Sequence, residues 1–174
     1  MKRIHLLLLT AAVLGLLACS AVKKAVPGHP FHVAGTSTDL PQPLGYISDY
    51  EGIFSDEAEK GLTAQLSVQE KTTGDQIAVV VSSDLVPYRD IDTYARALME
   101  YWQIGGRQGT GVLIAFGKDL RRIRIQNGPG VTARLTDEET QRIIDEIIIP
   151  TFRKDQYLEG LSKGIHAIQL ELNR

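Results

Sequence analysis

Four aspartates, Asp49, Asp84, Asp119 and Asp137, fall where the sequence places turns or helix starts. Carboxylates gathered at one rim could hold a hard cation such as Ca²⁺ or Mg²⁺, which takes about six to eight oxygen ligands, some of them charged. Open α/β sheets form their crevices outside the carboxyl ends of parallel strands. In this chain that edge is expected to gather Ser82, Ser83 and Asp84 after one strand and Lys118, Asp119 and Arg121 after another. Asp49 and Asp137 join them if the first turn and a helix cap fold over the same rim. Each aspartate also has a local explanation: Asp49 in a turn, Asp119 in a hairpin, Asp137 in a cap.

Other chemistries have less to work with. No Gly-x-Ser-x-Gly segment occurs, and His166, set among Ile165, Ala167 and Ile168, reads as a surface or boundary residue rather than a base. There is no phosphate-cradling loop ending in Gly-Lys, and Gly128-Pro129-Gly130 lacks the strand-to-helix setting of a dinucleotide site. His29 and His32 lack a third ligand and read as solvated. Arg121, Arg122 and Arg124 form a small basic group that could bind an anion or keep a strand wet. The formal net charge of −2, with both signs interspersed, leaves no basic stripe for nucleic acid.

The remaining reactive side chain is Cys19. Lys2 and Arg3 precede an almost wholly apolar run from Ile4 to Leu17, too short to span a bilayer but suited to a signal peptide. The closing Leu16-Leu17-Ala18-Cys19 resembles a bacterial lipobox, in which cleavage precedes the cysteine and its sulfur and new amino terminus are acylated. Residues 1–18 are thus expected to be removed and Cys19 to anchor the chain. Each buried methylene contributes about 0.8 kcal/mol, so several acyl chains make a lasting anchor. Ser20, rather than Asp, after the cysteine is the choice associated with outer-membrane sorting, which places the protein in the cell envelope on the periplasmic side of that membrane. Cleavage removes Lys2 and Arg3, leaving 17 basic against 21 acidic residues, a net charge of −4. Since Cys19 is the chain's one cysteine, no thiol remains for other work.

The elements that must position these residues follow from periodicity. From Cys19 to Pro43 the chain holds Pro27, Pro30, Pro41 and Pro43 and few large apolar residues, and reads as an extended tether over 19–43, with the domain at 44–174. After a short extended start at Leu44 to Ser48, Ser55 caps a helix over 55–72 with Ala58, Leu62 and Leu66 in one stripe. Gln76 to Ser82 is a central strand, and Ile91, Tyr94, Ala95, Leu98 and Trp102 make the buried face of a second helix. Gly111 to Phe116 is an apolar strand buried on both faces, Arg122 to Gln126 alternates, and Lys118 to Arg121 between them closes an antiparallel hairpin. The unit formed by strand 76–82, helix 90–103 and strand 111–116 should be parallel with a right-handed crossover. Thr136 to Glu139 is a capping box opening a helix that Pro150 should end, and a last helix from Gln156 to Leu172 should bury Leu158, Leu161, Ile165, Ile168 and Leu172. These elements predict a three-layer α/β/α sandwich with a mixed, mostly parallel sheet and one antiparallel hairpin.

Several segments resemble the TPM domain: Ser48-Asp49, Thr73 to Val80, Trp102 to Gly105, Gly111 to Ile114, Arg124-Ile125, Gly128 with Gly130, and Leu135 to Asp137. The resemblance spans about Ile47 to Leu172. It implies an exported or membrane-tethered α/β/α domain of a family that includes thylakoid-lumen proteins linked to photosystem repair and many bacterial surface proteins. Some members are described as acid phosphatases and some bind calcium near acidic loops. Where the family usually carries an Asp-Asn pair before the core strand, this chain has Gly109 and Thr110, which weakens a hard-cation site there. The expected function is a lipid-anchored accessory module that binds an envelope protein, with the membrane and that protein as partners. The alternative is a metal-dependent acid phosphatase using the acidic rim.

Overall fold

Ser55 accepts a hydrogen bond from the Ala58 N–H, Asp56 and Glu57 place negative charge in the first turn, and Gly74 closes the last turn in the left-handed region at φ 79°. Those three signals bound α1 (Asp56–Thr73), whose Leu62 and Leu66 are buried. The computed structural model describes Phe31 and residues 39–174. The expected signal peptide, Cys19, His29 and His32 lie outside the described residues.

The other elements are β1 (Ile47–Asp49), β2 (Gln76–Val81), α2 (Ile91–Tyr101), β3 (Gly111–Gly117), β4 (Arg122–Asn127), α3 (Asp137–Arg142), α4 (Ile149–Phe152) and α5 (Tyr157–Leu172). The strands form one sheet in the order β1-β2-β3-β4. Two neighbouring pairs are parallel, with Ile47 opposite Val79 and Val79 opposite Ile114, while β3 and β4 pair antiparallel with Ile114 opposite Ile125. Alternate residues of the central strands point to opposite faces, as a period of two requires. Ile77, Val79, Val81, Val112, Ile114 and Phe116 pack with α1, α5 and the chain from Leu135 to Ile148. Ala78, Val80, Leu113 and Ala115 pack with α2. The result is the expected three-layer sandwich.

Three features depart from the sequence reading, and the two crossovers add a topological one. The steps β1 to β2 and β2 to β3 move the same way across the sheet, yet α1 and α2 lie on opposite faces. The two crossovers therefore have opposite hands, and one breaks the right-handed rule.

Pro150 does not end its helix. A π segment, Ile143–Ile148, follows α3, and the Ile149 N–H reaches back to the Ile144 carbonyl. That wider turn relieves the clash a proline ring otherwise makes with the carbonyl four residues earlier, so the helix runs on to Phe152. Leu158, expected in the core, is 42% exposed in the first turn of α5.

Finally, the segment read as tether contributes to the second core. Phe31 and Leu40 are buried, Phe31 stacks on Trp102 at 6.3 Å, and the Trp102 indole N–H donates to the Pro41 carbonyl at 2.8 Å.

Candidate functional site

The carboxyl ends of β1, β2 and β3 do gather at one edge, held by short polar bonds. The Tyr50 N–H donates to the Val81 carbonyl and the Ser82 N–H to the Phe116 carbonyl. Glu51 bridges two loops: its carboxylate accepts from the Ser83 hydroxyl at 2.6 Å and from the Lys118 N–H at 3.1 Å. The Ser83 hydroxyl in turn accepts from the Asp119 N–H at 3.2 Å. Gly117 permits this approach, because a Cβ there would lie 2.6 Å from the Ser82 carbonyl oxygen.

The predicted carboxylate cluster is not assembled on that edge. Asp49, 1% exposed, accepts from three backbone N–H groups, those of Glu51, Gly52 and Phe54, at 2.8–3.1 Å. A carboxylate so engaged builds its turn and has little capacity left for a cation. Asp84 accepts from the Val86 N–H at 3.1 Å, and Asp119 lies in the hairpin turn. Asp137 opens α3 at the opposite edge of the sheet, where the Asn127 amide at the end of β4 donates to the Leu135 carbonyl and the Thr140 hydroxyl. Among the described residues, no three His, Cys, Asp or Glu side chains come together as a metal ion would need. Gly109 and Thr110 also lie at that far edge, Gly109 against Pro129 and Thr110 donating to the Gly74 carbonyl.

Beside the edge lies a feature the sequence does not advertise. A cleft of about 770 Å³ opens between the β3–β4 hairpin and the helical chain from Gln141 to Arg153. Phe152 and Tyr157 line one end, 4.9 Å apart, and pack on the buried Phe116 ring at 4.9 and 6.3 Å. The π segment lends Ile144 and Asp145 to one wall, and such bulges recur at functional sites.

Its charges are unusual. Lys118, Arg121 and Arg122 line the hairpin wall and Arg153 the other, with Asp119, Asp145 and Asp155 among them. Asp145 is bonded to the Gln141 amide at 2.9 Å and Asp155 to the Tyr157 hydroxyl at 3.3 Å, both neutral donors. Among the described residues none of the four cations forms an ion pair, although Lys118 Nζ lies 5.8 Å from the centre of the Tyr157 ring. Burial, with the charge of Asp155 beside it, raises the Tyr157 hydroxyl pKa, so this ring stays a neutral donor. Among the described residues, two of the three non-glycine residues with positive φ, Arg121 at 51° and Asp155 at 58°, sit on this cleft. Held strain of about 1–3 kcal/mol per residue is a feature of binding and catalytic sites.

The predicted arginine group is divided. Arg121 and Arg122 face the cleft, whereas Arg124 approaches Asp92 of α2 at 3.4 Å. His166 is exposed on α5. Sequence reasoning missed Glu51, Arg153, Asp155 and Tyr157 as site residues, and only Tyr157, an aromatic at a helix start, offered any signal.

A family model for the TPM domain matches residues 47–170. The chain belongs to the TPM-domain family. Its fold is shared by the solution structure of the N-terminal domain of a Porphyromonas gingivalis protein, at 29% identity and TM-score 0.66, covering 74% of this chain and 82% of that one. The BA42 protein of Bizionia argentinensis aligns at 21% identity and TM-score 0.60, covering 71% of this chain and 83% of its own. The N-terminal domain of a Corynebacterium glutamicum protein aligns at 17% identity and TM-score 0.57, covering 79% and 85%. A comparison with curated proteins finds no match. Within this TPM domain, the cleft and the rim beside it are formed by residues between 49 and 157, inside the matched span.

Proposed function

We propose that this is a lipid-anchored protein of the cell envelope, held by acylated Cys19 on the periplasmic side of the outer membrane, whose TPM domain binds a partner protein. The observation that carries the reading is the basic cleft with its aromatic end: among the described residues its four cations have no carboxylate ion-pair partner. Charge left unpaired at a partly enclosed surface favours an external counter-charge. The rim offers less to a hydrolase. Asp49 is occupied by backbone donors, Asp137 is at the other edge, and among the described residues neither Ser82 nor Ser83 is bonded to a histidine.

Two experiments test this. In the first, full-length protein in non-ionic detergent is given a chromogenic phosphate ester; the binding-module reading expects no turnover above background, and turnover abolished by Asp119→Asn would refute it in favour of the phosphatase alternative. In the second, Cys19→Ser should move the protein from the membrane fraction to the soluble envelope fraction, and an unchanged distribution would refute the anchor.

A further inference from the structure

We infer that the cleft is built to take an extended acidic segment of a protein, one that carries spaced carboxylates beside an apolar or aromatic side chain; this rests on the binding-module reading and names the chemistry of its ligand. The four cations come from two separate walls, three from the hairpin and Arg153 from the helical side. A lone phosphate is held by donors that converge, usually backbone N–H groups at a nest or helix start. Spaced cations match spaced carboxylates instead, and the guanidinium fork of arginine suits a carboxylate's two oxygens.

Asp119, Asp145 and Asp155 add a second constraint. Interspersed with the cations, they repel a compact polyanion and leave room for an extended chain whose charges fall between them. The aromatic end of the cleft, Phe152 and Tyr157, 4.9 Å apart and backed by buried Phe116, provides an apolar seat for one side chain. β4, which supplies Arg122 and Ile123 to the wall, is an edge strand of the sheet, with no further strand beside it among the described residues. Its outer backbone groups can therefore pair with an extended segment.

The test uses full-length protein in non-ionic detergent and a short fluorescein-labelled peptide of glutamates flanking one phenylalanine, with fluorescence anisotropy as the readout. Binding should be saturable and should weaken as salt rises from about 50 to about 300 mM. A peptide with lysine in place of glutamate should not bind. The double variant Arg122→Glu, Arg153→Glu should raise Kd about tenfold or more, equivalent to about 1.4 kcal/mol. Both side chains are exposed and form no ion pair among the described residues, so the variant is expected to keep the wild-type melting temperature. Arg107→Glu, exposed in the Gly106–Gln108 turn at the far edge, should leave Kd unchanged.

Equal weakening by Arg107→Glu, or full displacement by inorganic phosphate at matched ionic strength, would overturn the assignment. No binding of the acidic peptide, together with a protein adduct formed in cells by a photo-crosslinker at Gln141, would overturn the acidic segment while sparing the binding-module reading. No peptide binding, no adduct and Asp119-dependent ester hydrolysis would overturn both.

Discussion

Glu51→Ala should loosen the rim that carries the hairpin wall of the cleft. The carboxylate is half-buried and accepts from the Ser83 hydroxyl and the Lys118 N–H, so it ties the turn after β1 to the loop after β2 and to the start of the hairpin. Hydrogen bonds to a charged group contribute about 1.5–3 kcal/mol each when buried. Here water can reach the freed donors, which lowers the loss to about 1 kcal/mol per bond, or about 2 kcal/mol in all. For a domain of this size that is a fall in melting temperature of about 4–8 °C. Glu57→Ala, in the exposed first turn of α1, should change stability by less than about 0.5 kcal/mol. Thermal melts give the magnitude and amide hydrogen exchange gives the place: Lys118 and Asp119 should lose protection while β2 keeps it. A change below about 0.5 kcal/mol, or unaltered exchange at both amides, would show that Glu51 does not hold the rim.

Three other outcomes follow from the same structure. Arg134 pairs with buried Asp75 through two bonds of 2.7 Å and also donates to the Leu172 carbonyl at 2.6 Å, so Arg134→Leu should cost about 3 kcal/mol by urea denaturation; a cost under about 1 kcal/mol would refute it. Phe31→Ala should cost about 3 kcal/mol and shift the fluorescence of Trp102, the chain's one tryptophan, because Phe31 stacks on that ring; an unchanged emission maximum would show that Phe31 does not pack there. Burial raises the hydroxyls of Tyr46, with Glu70 beside it, and of Tyr94 from 10.0 to about 12. The folded state then holds these protons more tightly than the unfolded one, so their contribution is full below about pH 10 and is lost as pH rises toward 12. Urea midpoints should fall over that window, less so in Tyr46→Phe, and a flat profile would contradict the shifts.

The layers were legible because the signals were local and agreed with one another. The unbroken apolar run of β3, the alternation of β4, the Ser55 cap and the Thr136–Glu139 capping box each pointed to the element that formed. Pro150 misled because its usual effect assumes α-helical spacing, which the π segment changes. Phe31 and Leu40 were hidden among prolines, where two apolar residues do not make a periodic pattern. The site was less legible than the fold. Asp49 looked like a ligand, yet a carboxylate two and three residues before free N–H groups satisfies its own turn first. The cleft joins the hairpin to Arg153 and Tyr157 more than thirty residues later, and no spacing rule links them.

The central claim is that the cleft beside the hairpin is where the protein meets its partner. It is tested most directly by placing a photo-crosslinking residue in living cells at Gln141, on the cleft wall, and at Val68, exposed on α1. The account predicts a discrete protein adduct from Gln141, none from Val68, and loss of the adduct when Arg122→Glu and Arg153→Glu are added. The same adduct from both positions, or an adduct from Gln141 that survives reversal of the two charges, would contradict it.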